Sequence, residues 1–186
     1  MLSVAEAIVP NTARTFTHLL APYGFKANMM HAAWGMSETC AAVTFSHNYL
    51  EKLPDENYPY VEVGAPTAGF QMRIVDNNEQ LIAEEVVGRL QIKGPMILSS
   101  YYQNPELNAT VFTEDGWFKT GDLGYLKQGN LTVTGREKDI IIINGLNHFS
   151  PEIEAIVEEV DGVKPSYTAA CGLRQPGQDT DQLLIF

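Results

Sequence analysis

Positive charge is scarce in this chain. Lysine and arginine together number 12 in 186 residues, against 23 aspartates and glutamates, for a net charge of -11. That excludes the basic stripe a nucleic-acid surface requires, and it argues against attraction to an anionic membrane. It does not exclude an anionic ligand, because a few local cations and backbone N–H groups suffice to hold a phosphate. Cysteine is nearly missing: Cys40 and Cys171 stand far apart and follow no metal spacing. Two isolated thiols point to a reducing, cytoplasmic setting rather than a disulfide scaffold. No apolar run approaches the length of a membrane span. The opening residues have neither the basic region nor the apolar stretch of a signal peptide. Internal repeats and low-complexity tracts are absent too. What the chain does have is core material, 45% hydrophobic residues, enough for one domain or one and a part.

Periodicity divides the chain. Residues 11–21 carry apolar side chains at Ala13, Phe16, Leu19 and Leu20 behind Pro10 and Asn11, which predicts a helix of three turns. Residues 28–33 read as a short buried strand running into Gly35. From Tyr58 the period changes to two, and residues 70–75 and 88–93 read as half-buried strands. Asp76-Asn77-Asn78-Glu79, Gln128-Gly129-Asn130 and Asn144-Gly145 are turn signals. Residues 150–160 predict a helix with Ser150 as N-cap, Pro151 in the first turn, and Ile153, Ile156, Val157 and Val160 on one face. A buried strand over 168–173 and a last strand from Gln182 follow. The chain stops inside that strand, which reads as a truncated product or fragment. A lobe boundary is expected near residues 136–139.

Three polar clusters carry the chemistry. In Trp34-Gly35-Met36-Ser37-Glu38-Thr39 a glycine lets backbone approach a ligand, and a flat aromatic can pack against a purine. Ser37 and Thr39 offer hydroxyls to phosphate, and Glu38 offers the oxygen that Mg²⁺ prefers. In Thr120-Gly121-Asp122 the carboxylate can accept from two ribose hydroxyls at once. In Gly135-Arg136-Glu137-Lys138-Asp139 the planar fork of Arg136 suits ribose or phosphate oxygens. Each has a plainer reading: a turn with a core Trp, an Asp closing a turn, a solvated charged turn. His148 has no partner carboxylate, and Cys40 has no His in a nucleophile's arrangement. Asn108-Ala109-Thr110 and Asn130-Leu131-Thr132 are chance glycosylation matches. The string from Tyr101-Tyr102 to Asn104-Pro105-Glu106 is assigned core and turn roles.

All three clusters in this order resemble the adenylate-forming enzymes: acyl-CoA ligases, fatty acyl-AMP ligases and the adenylation domains of non-ribosomal peptide synthetases. The resemblance implies an α/β and β-barrel mixture. Residues 1–135 would be the end of an αβ sheet subdomain with a distorted β-barrel. Residues 136–139 would be a hinge, and 140–186 the start of a small α+β lid. It implies nucleobase contact for Trp34 beside Gly35, phosphate contact for Ser37 or Thr39, a catalytic role for Glu38 and Thr39, and metal contact for Glu38. Asp122 would bind the ribose, Arg136 would contact the nucleotide, and Lys138 would be the hinge. Ala5 and Glu6 lie where the family keeps a segment beside the adenine. Trp34 departs from the Tyr or Phe usual at its position.

The implied ligands are ATP or AMP and Mg²⁺. The implied reaction activates a carboxylic or fatty acid and passes the acyl group to the phosphopantetheine thiol of an acyl or peptidyl carrier protein, or else to free CoA. Ile141-Ile142-Ile143-Asn144-Gly145 and His148-Phe149-Ser150-Pro151 differ from the strings usual in amino-acid adenylation domains, which favours an acyl-type unit. The family's phosphate loop and its late lysine are expected outside residues 1–186, so the chain alone is expected to be inactive. The competing class is a non-catalytic binding remnant of the fold.

Overall fold

The computed structural model describes residues 1–5, 8–47, 49–53, 58–164, 167–175 and 178–186; the candidate residue Glu6 lies outside them. Eight strands make one sheet, in the spatial order β1 (Leu2–Ser3), β2 (His31–Gly35), β3 (Ala42–His47), β4 (Glu62–Pro66), β8 (Asn130–Arg136), β7 (Phe118–Lys127), β6 (Gly88–Lys93) and β5 (Gln71–Val75). β1 runs parallel to β2, and the remaining neighbours are antiparallel. The fold is the expected α/β mixture, and its large sheet is open, with β1 and β5 at the edges, rather than a closed barrel.

Alternation puts Leu90 and Ile92 of β6, Phe118 of β7 and Leu131 of β8 into one core with Ile74, Val61 and Val63. That core continues under helix α1 (Pro10–Leu20) through Ala13, Met30, Ala32 and Tyr49. Pro10 starts α1 where its missing N–H costs nothing. The buried face of α1 holds Ala13 and Thr17, whose hydroxyl donates to the Arg14 carbonyl at 2.8 Å. Leu19, about 120° around the helix from Ala13 at 100° per residue, is exposed instead of packed. The strand expected over 28–33 begins only at His31, because residues 27–29 form a 3-10 turn. Where core and turn roles are expected, helix α2 (Pro105–Val111) forms instead, behind Asn104, whose side chain caps the Leu107 N–H at 3.1 Å.

After the 3-10 turn Glu137–Asp139 come β9 (Ile140–Ile143), β10 (Leu146–Phe149), α3 (Ser150–Glu158), β11 (Ala170–Leu173) and β12 (Gln182–Ile185). β9 pairs with β10 and β11 with β12, both antiparallel. Asp181 ties the hairpins together: its carboxylate accepts the Ile142 N–H at 2.7 Å and its own N–H donates to the Ile142 carbonyl at 2.7 Å. Several expectations change here. Ser150 is not the cap: it is the first helical residue, and its hydroxyl donates to the Asp139 carbonyl. Val160 lies past the helix end and Ile156 faces solvent. The side of α3 turned to the protein includes Glu154, which accepts the Ala170 N–H at 2.9 Å. The strand expected to be buried over 168–173 has only Ala170 buried. His148 sits in β10 opposite Ile141, not in a loop.

Candidate functional site

Three irregularities in the sheet shape one cleft. The first is at the end of β2, where the register to β3 shifts between Trp34 and Gly35. There Trp34 N–H bonds the Thr44 hydroxyl at 3.1 Å. A side chain at Gly35 would lie 2.4 Å from the Ala41 carbonyl, so the close approach of β3 by itself requires a glycine here.

The second irregularity is Thr120-Gly121-Asp122. β7 uses the four steps from Lys119 to Leu123 where β6 uses the two from Arg89 to Gln91. The three residues are therefore a bulge. Gly121 has φ +76° with open space where a Cβ would stand. The Thr120 hydroxyl repairs the interrupted ladder, donating to the Leu90 carbonyl at 2.9 Å and accepting the Asp122 N–H at 3.0 Å. A bulge re-aims a side chain that regular pleating would send elsewhere, and here that side chain is the Asp122 carboxylate. The third irregularity is in β8, which shifts register at Thr134. The Thr134 hydroxyl is buried and without a hydrogen-bond partner.

These features meet. Asp122 pairs across the hairpin with Arg136. Its Oδ1 lies 3.2 Å from the Arg136 Nε, and its Oδ2 accepts the indole N–H of Trp34 at 2.9 Å. Asp122 is 5% exposed. Burial pushes its carboxyl pKa up from the ordinary value, while the Trp34 and Arg136 contacts act in the opposite direction and Glu38 adds a smaller upward push. The cleft over these groups measures about 510 Å³, within the range of small-molecule sites. Ala5, Trp34, Gly35, Asp122, Arg136 and Lys138 line one part of it; Phe149, Ser150, Pro151, Glu154 and Cys171 line the other.

The Ser37–Thr39 turn is separate from that wall, since none of Ser37, Glu38 and Thr39 lines the cleft. Ser37 is exposed. Thr39 is buried, and its hydroxyl lies 2.8 Å from the Met36 carbonyl and 2.7 Å from the Ala41 carbonyl while accepting the Met36 N–H at 3.1 Å. In this arrangement the Thr39 hydroxyl closes its own turn. Glu38 Oε1 accepts from the Tyr101 hydroxyl at 2.7 Å. Burial first, and Glu38 second, push the Tyr101 phenol up to about 12, so it stays a neutral donor. Asn108 holds Tyr101 in place, its side-chain amide bonding the Tyr101 N–H at 2.7 Å and carbonyl at 3.0 Å. The sequence reading missed both residues, and Asn108 has a structural role there in place of a glycosylation signal. No cluster of three or more His, Cys, Asp or Glu residues able to hold a metal occurs among the described residues. Glu38 fits Mg²⁺ as a single hard ligand, because that ion is held by one or two carboxylates together with water and substrate phosphates.

Two further features bear on the residues expected to form a lobe boundary. Arg89 of β6 bonds Glu137 through Nε at 2.9 Å and through its terminal nitrogen at 2.5 Å, next to the exposed Lys138. Across the cleft the Tyr60 hydroxyl is buried without a hydrogen-bond partner. Burial first, then the nearby Glu152, push that phenol up. Cys40 and Cys171 are free and exposed. No helix among the described residues is long and apolar enough to cross a membrane.

A family model described as AMP-binding enzyme matches residues 1–102. An atromentin synthetase of Paxillus involutus is 38% identical over 190 residues, an alignment covering 99% of this chain and 20% of that protein. The solved structure of McyG A-PCP complexed with phenylalanyl-adenylate matches with a TM-score of 0.87 at 43% identity, over 99% of this chain and 33% of that one. The adenylation domain of a keto acid-selecting NRPS module bound to keto acyl adenylate matches with a TM-score of 0.71 at 42% identity, over 94% of this chain and 35% of that one. The chain thus spans a fifth of the curated relative and about a third of the solved chains. With its bulged cleft and the three polar clusters in their order, the chain belongs to the AMP-binding enzyme family.

Proposed function

We propose that these residues form the nucleotide face and the beginning of the lid of an enzyme that activates a carboxylic acid with ATP. A substrate carboxylate oxygen attacks the α-phosphorus, the bond to the pyrophosphate oxygen breaks, and acyl-AMP and pyrophosphate result. A carrier-protein pantetheine thiol then takes the acyl group and AMP leaves. One observation carries the reading: Trp34, Asp122 and Arg136, distant in sequence, converge on one cleft with a buried carboxylate at its centre.

Asp122 accepts from the ribose hydroxyls and Arg136 holds the far side of the same carboxylate while facing the nucleotide. The Trp34 ring flanks the base, and Ala5 lies beside it. Ser37, whose hydroxyl has no internal clasp of the Thr39 kind, contacts phosphate. Glu38, steadied by Tyr101, would hold Mg²⁺, which when bound neutralises phosphate charge. Lys138 is the hinge about which residues from Ile140 onward turn, so that the lid side of the cleft is remade for thiol transfer. The acyl-type reading of the small-lobe strings is supported by the likeness to a keto acid-selecting module, and the carrier protein by the likeness to an A-PCP structure.

Calorimetry of the chain with AMP tests the nucleotide site. Asp122→Ala is expected to lower affinity about 10- to 100-fold, the loss of a charge-assisted hydrogen-bond acceptor. AMP binding that is indifferent to this substitution would overturn the assignment, and so would no binding by the unmodified chain.

A further inference from the structure

Trp34 carries more than a flat ring, and the structure gives the difference a use. A flat face beside the base needs only an aromatic ring, which Phe supplies. The indole adds an N–H at the ring edge, and that N–H reaches the Asp122 Oδ2 across 88 residues of sequence, at 2.9 Å. The donor itself is held. Trp34 lies at the register shift between β2 and β3, with its backbone N–H bonded to the Thr44 hydroxyl at 3.1 Å. The acceptor is held as well, by the Thr120 hydroxyl on the Asp122 N–H. Arg136, on the other carboxylate oxygen, is a looser partner: its side chain is 64% exposed and its contact is 3.2 Å.

A carboxylate has about four lone-pair positions. Trp34 takes one on Oδ2 and Arg136 stands beside Oδ1 as an ion partner, which leaves room on each oxygen for a pair of neighbouring hydroxyls. Without the indole N–H the Asp122 plane is free to turn on its Cβ–Cγ bond, a broad torsion. The two remaining positions then no longer face a vicinal diol together.

We propose that Trp34 is a positioning residue for ribose recognition: its indole N–H fixes the Asp122 carboxylate plane, so the preference for a 2′,3′-diol depends on both residues. This rests on the nucleotide reading given above, and the experiment separates the two.

The first measurement needs no ligand. In a ¹⁵N-labelled chain the Trp34 indole signal is the one that disappears in Trp34→Phe. It is expected to exchange slowly with solvent and to move on Asp122→Ala. A Trp34 signal that ignores Asp122→Ala overturns the proposal.

The second measurement compares AMP with 2′,3′-dideoxy-AMP by calorimetry. The unmodified chain is expected to prefer AMP. Trp34→Phe also trims the ring that flanks the base, so the readout is the ratio of the two affinities: the preference for AMP should fall about tenfold, the scale of one oriented hydrogen bond. Asp122→Ala should abolish the preference, and adding Trp34→Phe to it should change nothing more. An undiminished preference in Trp34→Phe overturns the positioning role alone. An equal loss for both ligands means general damage to the site, and it overturns the role too. An unmodified chain that binds neither nucleotide, or both equally, overturns the ribose reading and this inference with it.

Discussion

On the sheet side of Arg136, Leu90, Ile92, Phe118 and Leu131 are each no more than 1% exposed, and they touch one another in a single core. Beyond Asp139 the buried class shrinks, among the described residues, to Ile141 and Ala170. The two regions nonetheless face each other across one cleft. Their stability comes from different sources. The sheet side rests on apolar burial, which is not directional and is lost all at once. The far side rests on a few directed bonds, such as Asp181 to Ile142, Glu154 to Ala170 and Ser150 to Asp139. Under the proposed function, a wall that holds a nucleotide at hydrogen-bond precision benefits from the first kind of support. Residues that turn together as a lid keep the directed bonds, since all three lie within residues 139–181.

That contrast can be broken most directly at Phe118. Phe118→Ala is expected to cost about 3–5 kcal/mol in urea unfolding, as cavity-forming core truncations do. A loss below about 1 kcal/mol would mean the sheet core is not the anchor described here. A smaller effect is expected from charge at the cleft. Burial raises the Asp122 carboxyl above its ordinary value. Between those two values the folded chain keeps a proton that the unfolded chain has lost, so stability from this group is intact in acid and falls as pH rises through the folded value. Asp122→Asn removes that fall. Its melting temperature should exceed that of the unmodified chain at neutral pH, and the gap should close as pH drops through the ordinary carboxylate range. A gap that widens in acid would contradict the burial argument.

Smaller still is the effect of the Arg89–Glu137 clamp beside Lys138, the proposed hinge. Arg89 and Glu137 are partly exposed, so Arg89→Ala should cost under about 1 kcal/mol. Its signature is local: faster hydrogen exchange at the Glu137–Asp139 turn, with β7 and β8 unchanged. Faster exchange throughout the sheet would place Arg89 in the core's support instead. The smallest effect belongs to Ile156, 67% exposed on α3. Ile156→Ala should stay within about 0.5 kcal/mol, and a larger cost by thermal unfolding would show that this face is covered in solution.

Local signals in the sequence did well where local physics decides. Alternation marked β5 and β6, and turn residues marked the β7–β8 and β9–β10 hairpins. Asn104-Pro105-Glu106 carries a full helix-start signature, cap, proline and first-turn acid, and α2 was legible there although it was read as a turn. Helical spacing was less reliable for burial. It cannot tell which apolar residues meet a partner, so Leu19 and Ile156 were expected inside and stand in solvent. The hydroxyls of Ser37 and Thr39 look equivalent in sequence. Only the turn geometry separates the clasped Thr39 from the exposed Ser37.

The sequence by itself determined the strand and turn pattern, the acidic balance and the three clusters whose order identifies the family, because these depend on residue type and short spacing. Tertiary structure alone decided that Thr120-Gly121-Asp122 is a bulge, that Gly35 serves strand packing, and that Trp34 holds Asp122. The physical reason is register: an extra residue in one strand exists only relative to its neighbour, and a hydrogen bond across 88 residues exists only once the sheet has closed the distance.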